Sequence, residues 1–168
     1  MASSTGASGN RRPTEMTILP ASEWRVQPWK NGGGTTREVL RWPDTDDYDL
    51  RVSLADVTRG GPFSKFPGYS RFIVWIGPNP IDLVMGRRID RLATPNATTH
   101  ILGTPDITAM LTAGSTRLLN LLIKDGTSYD WGYTEPVKPV RFAFVTYRLE
   151  AQLYDPPERP AARCLWIA

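Results

Sequence analysis

The sequence has one histidine and one cysteine among its 168 residues. The lone Cys164 excludes an intrachain disulfide. That suits a reducing compartment, and the chain is expected in the cytoplasm. The lone His100 excludes a centre in which two or three histidines converge with a carboxylate on one ion, so neither a transition metal nor another cofactor is expected. A Ser-His-Asp arrangement would have to use His100, and no Gly-x-Ser-x-Gly elbow accompanies it. Asp44, Asp46 and Asp47 lack the full calcium-loop pattern and read as a turn. No apolar run nears the ~20 residues of a membrane helix, so no membrane partner is expected. The net charge is only +3, and no basic run is interleaved with aromatics, which argues against nucleic acid. A long apolar stripe of 3.6-residue period is also missing.

What the chain does have is turns and rings. It carries 15 prolines, 14 glycines and six tryptophans, a balance that favours strands over helices. The apolar fraction of 40% and charged fraction of 22% are ordinary for a globular protein. The small, polar residues 1–15 read as a disordered N-terminal extension, and 16–168 as the domain. Period-2 runs predict strands over Thr35–Trp42, with Thr36, Glu38 and Leu40 on one face, and over Tyr48–Val57, with Tyr48, Leu50, Val52 and Leu54 opposite Arg51 and Ser53. Further strands are predicted at Arg71–Ile76, Ile81–Met85, Ile107–Leu111, Arg117–Ile123, Val140–Leu149 and, after a break at Pro156-Pro157, Arg163–Ile167. Many short strands at close spacing indicate an all-β sandwich or barrel.

Four segments could carry chemistry. In Trp29-Lys30-Asn31-Gly32-Gly33-Gly34-Thr35-Thr36, three glycines free the backbone to approach a ligand and to turn N–H groups toward an anion; the competing reading is a hairpin turn. It is not a Walker A loop, because the lysine precedes the glycines and a strand follows. In Arg51-Val52-Ser53, a guanidinium and a hydroxyl share one strand face, which is solvated in a sandwich but becomes a cavity wall in a barrel. In Gly61-Pro62-Phe63-Ser64-Lys65-Phe66-Pro67-Gly68, closely spaced rings and prolines suggest a self-packed loop, with Phe63 and Phe66 as an apolar rim and Arg71 as a carboxylate anchor. Asn120 is a lone amide in an apolar run and must find partners if buried.

Taken together, Pro28-Trp29-Lys30-Asn31-Gly32-Gly33-Gly34-Thr35-Thr36-x-Glu38, Arg51-Val52-Ser53-Leu54-Ala55 and Gly61-Pro62-Phe63-Ser64-x-Phe66-Pro67-Gly68-x-x-Arg71 resemble the HutD/Ves family in residues, order and spacing. The resemblance implies a cupin-type (RmlC-like) β-barrel or bicupin without a catalytic metal. It also implies a bacterial, cytosolic protein with a small-molecule pocket. The family is associated with histidine utilisation, so a pathway metabolite such as urocanate is the kind of ligand implied. Carried over by position, the pocket residues are Trp29, Lys30, Asn31, Thr36, Glu38, Arg51, Ser53, Phe66, Arg71 and Asn120. Leu118 stands where the family has Asp, and Leu50 where it often has Trp, which suggests a changed far wall and a different ligand. The chain beyond Gly126 is short, which suggests a trimmed second half-barrel.

Two functions follow. One is a metal-independent, sensor-like protein binding a small anionic or planar metabolite, with Lys30, Arg51 and Arg71 on its carboxylate and Trp29 and Phe66 stacked on its plane. The other is a cofactor-independent isomerase, cyclase or dehydratase of small-molecule biosynthesis. There Glu38 would be the acid–base and Lys30 would stabilise negative charge. An empty structural barrel is a third, lesser alternative. The partner expected is a small-molecule ligand or substrate, with a homodimer as the protein-level option.

Overall fold

The structure, a computed structural model, describes residues 15–168. Of the segment expected as an extension, residues 1–14 lie outside the described residues, and Glu15 opens the first strand, β1 (Glu15–Leu19). Fifteen strands form three antiparallel sheets, and the only helical element among the described residues is a 3-10 turn at Ala21–Glu23. No helix among the described residues is long and apolar enough to cross a membrane.

The middle sheet holds β2 (Arg25–Pro28), β3 (Gly34–Trp42), β4 (Leu50–Val57), β11 (Thr116–Lys124), β6 (Tyr69–Pro78) and β9 (Thr98–Ile101), in that spatial order. A four-stranded sheet of β5 (Gly61–Pro62), β10 (Thr108–Leu111), β7 (Ile81–Met85) and β8 (Arg88–Leu92) covers one of its faces. Between these two lies an apolar interior of Val57, Ile73, Ile81, Leu83, Ala109 and Leu118. A five-stranded sheet covers the other face. Its order is β1, β14 (Glu150–Glu158), β13 (Val140–Val145), β15 (Cys164–Ile167), β12 (Trp131–Thr134). Val52, Leu54, Leu119 and Leu121 there meet Phe142, Phe144 and Leu165. The middle sheet is therefore buried on both sides. That is why β11 reads as an unbroken apolar run except at Asn120, where a half-exposed strand would alternate.

The chain beyond β11 contributes only to the five-stranded sheet, which β1 completes at one edge, with a small buried cluster of Val140, Ala143, Val145, Tyr154, Cys164 and Trp166 on its outward face. The expected strand Val140–Leu149 is one shorter strand and a turn. β13 stops at Val145, a turn follows in which Arg148 N–H donates to Val145 O, and β14 begins at Glu150. Pro156-Pro157 lies inside β14, not at a break. The β13–β14 register shifts there, and β1 pairs no further than Asp155, so the prolines leave no ladder bond unmade.

The strand β3 departs from simple alternation. Glu38 pairs with Ser53 but Leu40 with Val52, so one extra residue bulges between them. The bulge turns Leu40 to the apolar side, away from Thr36 and Glu38, and brings Arg41 round to the side of Glu38.

Candidate functional site

On the face of the middle sheet that carries Arg51 and Ser53, beside the apolar interior, lies a cavity of about 410 Å³. One wall is the sheet itself, and register places its polar residues in two rows. Glu38, Ser53 and Asn120 face one another across β3, β4 and β11; Arg41, Arg51, Leu122 and Arg71 do so across β3, β4, β11 and β6. The two arginines of the second row that reach the cavity are both gripped through Nε. Arg51 Nε donates to Glu38 Oε2 at 2.6 Å, and Arg71 Nε donates to Asn120 Oδ1 at 3.0 Å. In each case the acceptor lies one strand over and one row up.

The two clamps differ in charge. Glu38 is ionic, and its other oxygen accepts from Arg25 Nη1 at 3.2 Å and lies 3.5 Å from Arg41 Nε. That last pair has no hydrogen-bond geometry, so Arg41 Nε is buried without a hydrogen-bond partner. Asn120 is neutral. Its Oδ1 takes a second bond from Arg71 Nη2 at 2.7 Å, while Arg71 Nη1 is buried with no partner at all. The Arg71 guanidinium also lies over the Phe63 and Phe66 rings, at 5.0 and 5.7 Å from their centroids. Burial, and then the nearby charge of Arg51, push Arg71 down to about 10, so it remains charged at neutral pH at a cost in free energy.

The opposite lip comes from the triglycine hairpin. Trp29 N–H donates to Gly34 O and Gly32 N–H to Trp29 O, closing a tight turn with Gly32 at φ +67°. At Gly34 a Cβ would stand 2.3 Å from Asp56 O and 3.1 Å from the Trp29 ring, so only glycine fits. The expected anion nest does not form. Gly32 N–H is taken by Trp29 O and Gly33 N–H by Asn31 Oδ1, while Gly34 belongs to the β3–β4 pairing. The hairpin instead presents side chains. Trp29 is fixed by Nε1 donating to Thr36 Oγ1 at 2.8 Å and by an edge-on contact with Phe63; Lys30 is exposed and makes no ion pair with any described residue.

Trp29, Lys30, Asn31, Thr36, Arg51, Ser53, Phe66, Arg71 and Asn120 thus line one cavity, as the sequence expectation had grouped them; Glu38 does not reach its wall. The lining also takes in Gln27 and Leu122, which sequence reasoning missed. Both follow from pairing: Gln27 faces Thr36, and Leu122 lies two residues beyond Asn120 on the same strand face. Leu118 lies on that face too, but it packs fully buried in the apolar interior. Leu50 packs on the opposite face, so neither departure changes the cavity wall. His100 lies outside the cavity, edge-on to Phe72 and Trp131. No group of His, Cys, Asp or Glu able to hold a metal occurs among the described residues.

A family model for HutD matches residues 21–138. An uncharacterized 21.2 kDa protein in the hutC 3′ region of Pseudomonas putida is 31% identical over 111 residues, which are 65% of this chain and 58% of that protein. Protein Ves of Escherichia fergusonii is 37% identical over 59 residues, 34% of this chain and 31% of that protein. The match thus spans little more than half of the first relative and under a third of the second. Among solved structures, HutD from Pseudomonas fluorescens SBW25 superposes with a TM-score of 0.73 at 22% identity, covering 91% of this chain and 97% of that one. KdgF from Halomonas sp. reaches 0.50 at 13% identity over 64% of this chain and 94% of its own.

Proposed function

Because this chain belongs to the HutD family and has its cupin-type β fold, we propose that it binds a small, planar, anionic metabolite in the cavity, as a sensor-like protein without a catalytic metal. One observation carries the proposal: the lining contains three cationic side chains, Lys30, Arg51 and Arg71, and no carboxylate. Arg71 Nη1 is buried without a hydrogen-bond partner, which leaves that cation under-satisfied in the empty cavity. A carboxylate bonded to such groups gains about 1.5–3 kcal/mol per charge-assisted bond. The Trp29, Phe63 and Phe66 rings around it supply flat apolar surface for the rest of a planar ligand.

The acid–base reading has less support. Glu38 would have to touch a ligand, but its oxygens face Arg51, Arg25 and Arg41 behind the wall. The P. putida relative is described by its place beside hutC, so histidine-pathway acids such as urocanate belong among the first candidates.

The test is calorimetric titration with planar monocarboxylates, urocanate and benzoate among them, and with their amides. Carboxylates should bind and amides should not, and Arg51→Ala should weaken the carboxylates at least tenfold. If the amides bind equally well, or Arg51→Ala changes affinity by less than twofold, the cavity is not an anion site.

A further inference from the structure

We infer that Glu38 is a positioning residue: it fixes the plane of the Arg51 guanidinium so that both Nη groups face the cavity. The inference deepens the anion-site reading and rests on it for its ligand, though not for its geometry.

A guanidinium is flat, and its Nε–H lies in that plane. A bond to Nε therefore sets the rotation of the whole fork. Glu38 Oε2 makes that bond at 2.6 Å, and both side chains are only 12% exposed, so neither is swung about by solvent. Arg51 Nη1 and Nη2 make no hydrogen bond to any described residue and are left for the cavity.

Glu38 is itself held from behind. Arg25 reaches it through Nη1 and grips Asp44 with Nη2, at 2.7 Å to each carboxylate oxygen. Arg41 lies alongside Glu38 and runs out to Asp44 and Asp46. The β3 bulge makes this possible. Without the extra residue, Glu38 and Arg41 would point to opposite faces of the sheet. A local irregularity thus assembles a buttress whose inner end, Glu38, is the only hydrogen-bond partner of the Arg51 guanidinium among the described residues.

A charge-only role predicts the opposite result from a positioning role. Removing a negative charge raises the positive potential of the cavity and should tighten every anion. Loss of the clamp should instead cost the two-oxygen geometry of a carboxylate while sparing a spherical anion.

The experiment uses the full chain with benzoate and iodide as probes, together with ¹⁵N–¹H spectra of the arginine Nε–Hε groups without ligand. The wild type should show a slowly exchanging Arg51 Nε–Hε signal, assigned by its loss in Arg51→Lys, and Glu38→Gln should broaden or shift it. Glu38→Gln should also weaken benzoate about tenfold, one charge-assisted bond's worth, and leave iodide unchanged or tighter. In an Arg51→Lys background, Glu38→Gln should cost nothing further, which also covers a Glu38→Gln protein that folds poorly by itself. An unaltered Nε–Hε signal, or an equal benzoate loss in both backgrounds, overturns the positioning role. If benzoate fails to bind the wild type while the signal still responds to Glu38→Gln, the clamp stands and the anion-site reading falls.

Discussion

Replacing Asn120 with aspartate should stabilise the ligand-free protein and weaken its affinity for anions, two effects of opposite sign from one substitution. Burial, and then the charge of Arg51, hold Arg71 at about 10, well below an ordinary guanidinium. At 1.36 kcal/mol per unit, carrying that charge in the empty cavity costs roughly 3 kcal/mol. Asn120 already accepts from Arg71 Nε and Nη2 at 3.0 and 2.7 Å, so a carboxylate in its place meets the guanidinium without rearrangement. At an effective dielectric near 20 and about 4 Å, that attraction is worth about 4 kcal/mol. The cost of burying the new charge takes back much of it, leaving an expected gain of about 1–2 kcal/mol. The same charge would sit about 6 Å from an anion bound on Arg71, and the repulsion, about 3 kcal/mol at that dielectric, is near a hundredfold in affinity.

Urea unfolding gives the first quantity and benzoate titration the second, with Asn120→Leu as control. Leucine leaves the guanidinium without its two acceptor bonds and should cost about 3–5 kcal/mol. The linkage runs one way. Arg71 is a base whose folded pKa lies below its unfolded one, so the native state releases its proton first. The penalty is complete below about pH 10 and relieved as pH rises toward 12.5. Asn120→Asp should abolish that alkaline relief. A destabilised protein that binds benzoate more tightly would refute the assignment of Arg71 as an anion-receiving cation.

Phe66 lines both the main cavity and a side pocket of about 20 Å³, as Ser64 and Arg71 also do. Phe66→Ala should merge the two and shift preference from benzoate toward 4-phenylbutyrate by about tenfold in the ratio of Kd values, read by calorimetry. Gly34→Ala, whose Cβ would stand 2.3 Å from Asp56 O, should destabilise by about 2–3 kcal/mol in urea, more than Gly32→Ala, where only the φ of +67° is strained. Burial pushes the Cys164 thiol up to about 12, so it should resist a thiol reagent at pH 8 until the protein unfolds. Its folded pKa lies above the unfolded one, so its contribution is complete below about pH 9 and lost as pH rises toward 12, a slope that Cys164→Ala should remove.

Where a strand pairs on both sides and its pattern is strong, the sequence was legible: Ile81–Met85 is β7 to the residue, and Arg117–Ile123 lies within β11. Most strands that escaped are short or lie at sheet edges, where few side chains must be apolar; β14 is long and paired on both sides, and it escaped because Pro156-Pro157 reads as a break. β8 reads Arg-Ile-Asp-Arg-Leu and β9 Thr-Thr-His-Ile, and neither alternates cleanly. The two sides of β4 could not be ranked as inner and outer from alternation alone, and the structure shows why: both are inside. Leu50, Val52 and Leu54 face the five-stranded sheet, while Arg51 and Ser53 face the cavity. The pocket side chains were grouped through the resemblance of three linked motifs to the HutD/Ves family, not through alternation, which left the inner face open. The place of Glu38 was not legible, because a bulge of one residue changes which side chains share a side and leaves no mark in the residue types.

That bulge also explains why the cavity can hold like charges side by side. Two buried cations in one row repel, and a sheet face carrying Arg51 and Arg71 across Leu122 needs each fork pinned if it is not to turn away. Both are pinned through Nε by an acceptor in the neighbouring row, but only one acceptor is charged. With Glu38 on Arg51 and a neutral amide on Arg71, the four groups keep one net positive charge, concentrated on the arginine whose Nη1 has no partner. Had both clamps been carboxylates, these four groups would be neutral and Lys30 alone would draw anions; had both been amides, two uncompensated buried cations would strain the sheet. The asymmetry leaves Arg71 under-satisfied when the cavity is empty, and under the proposed function an entering carboxylate would restore what its burial takes away.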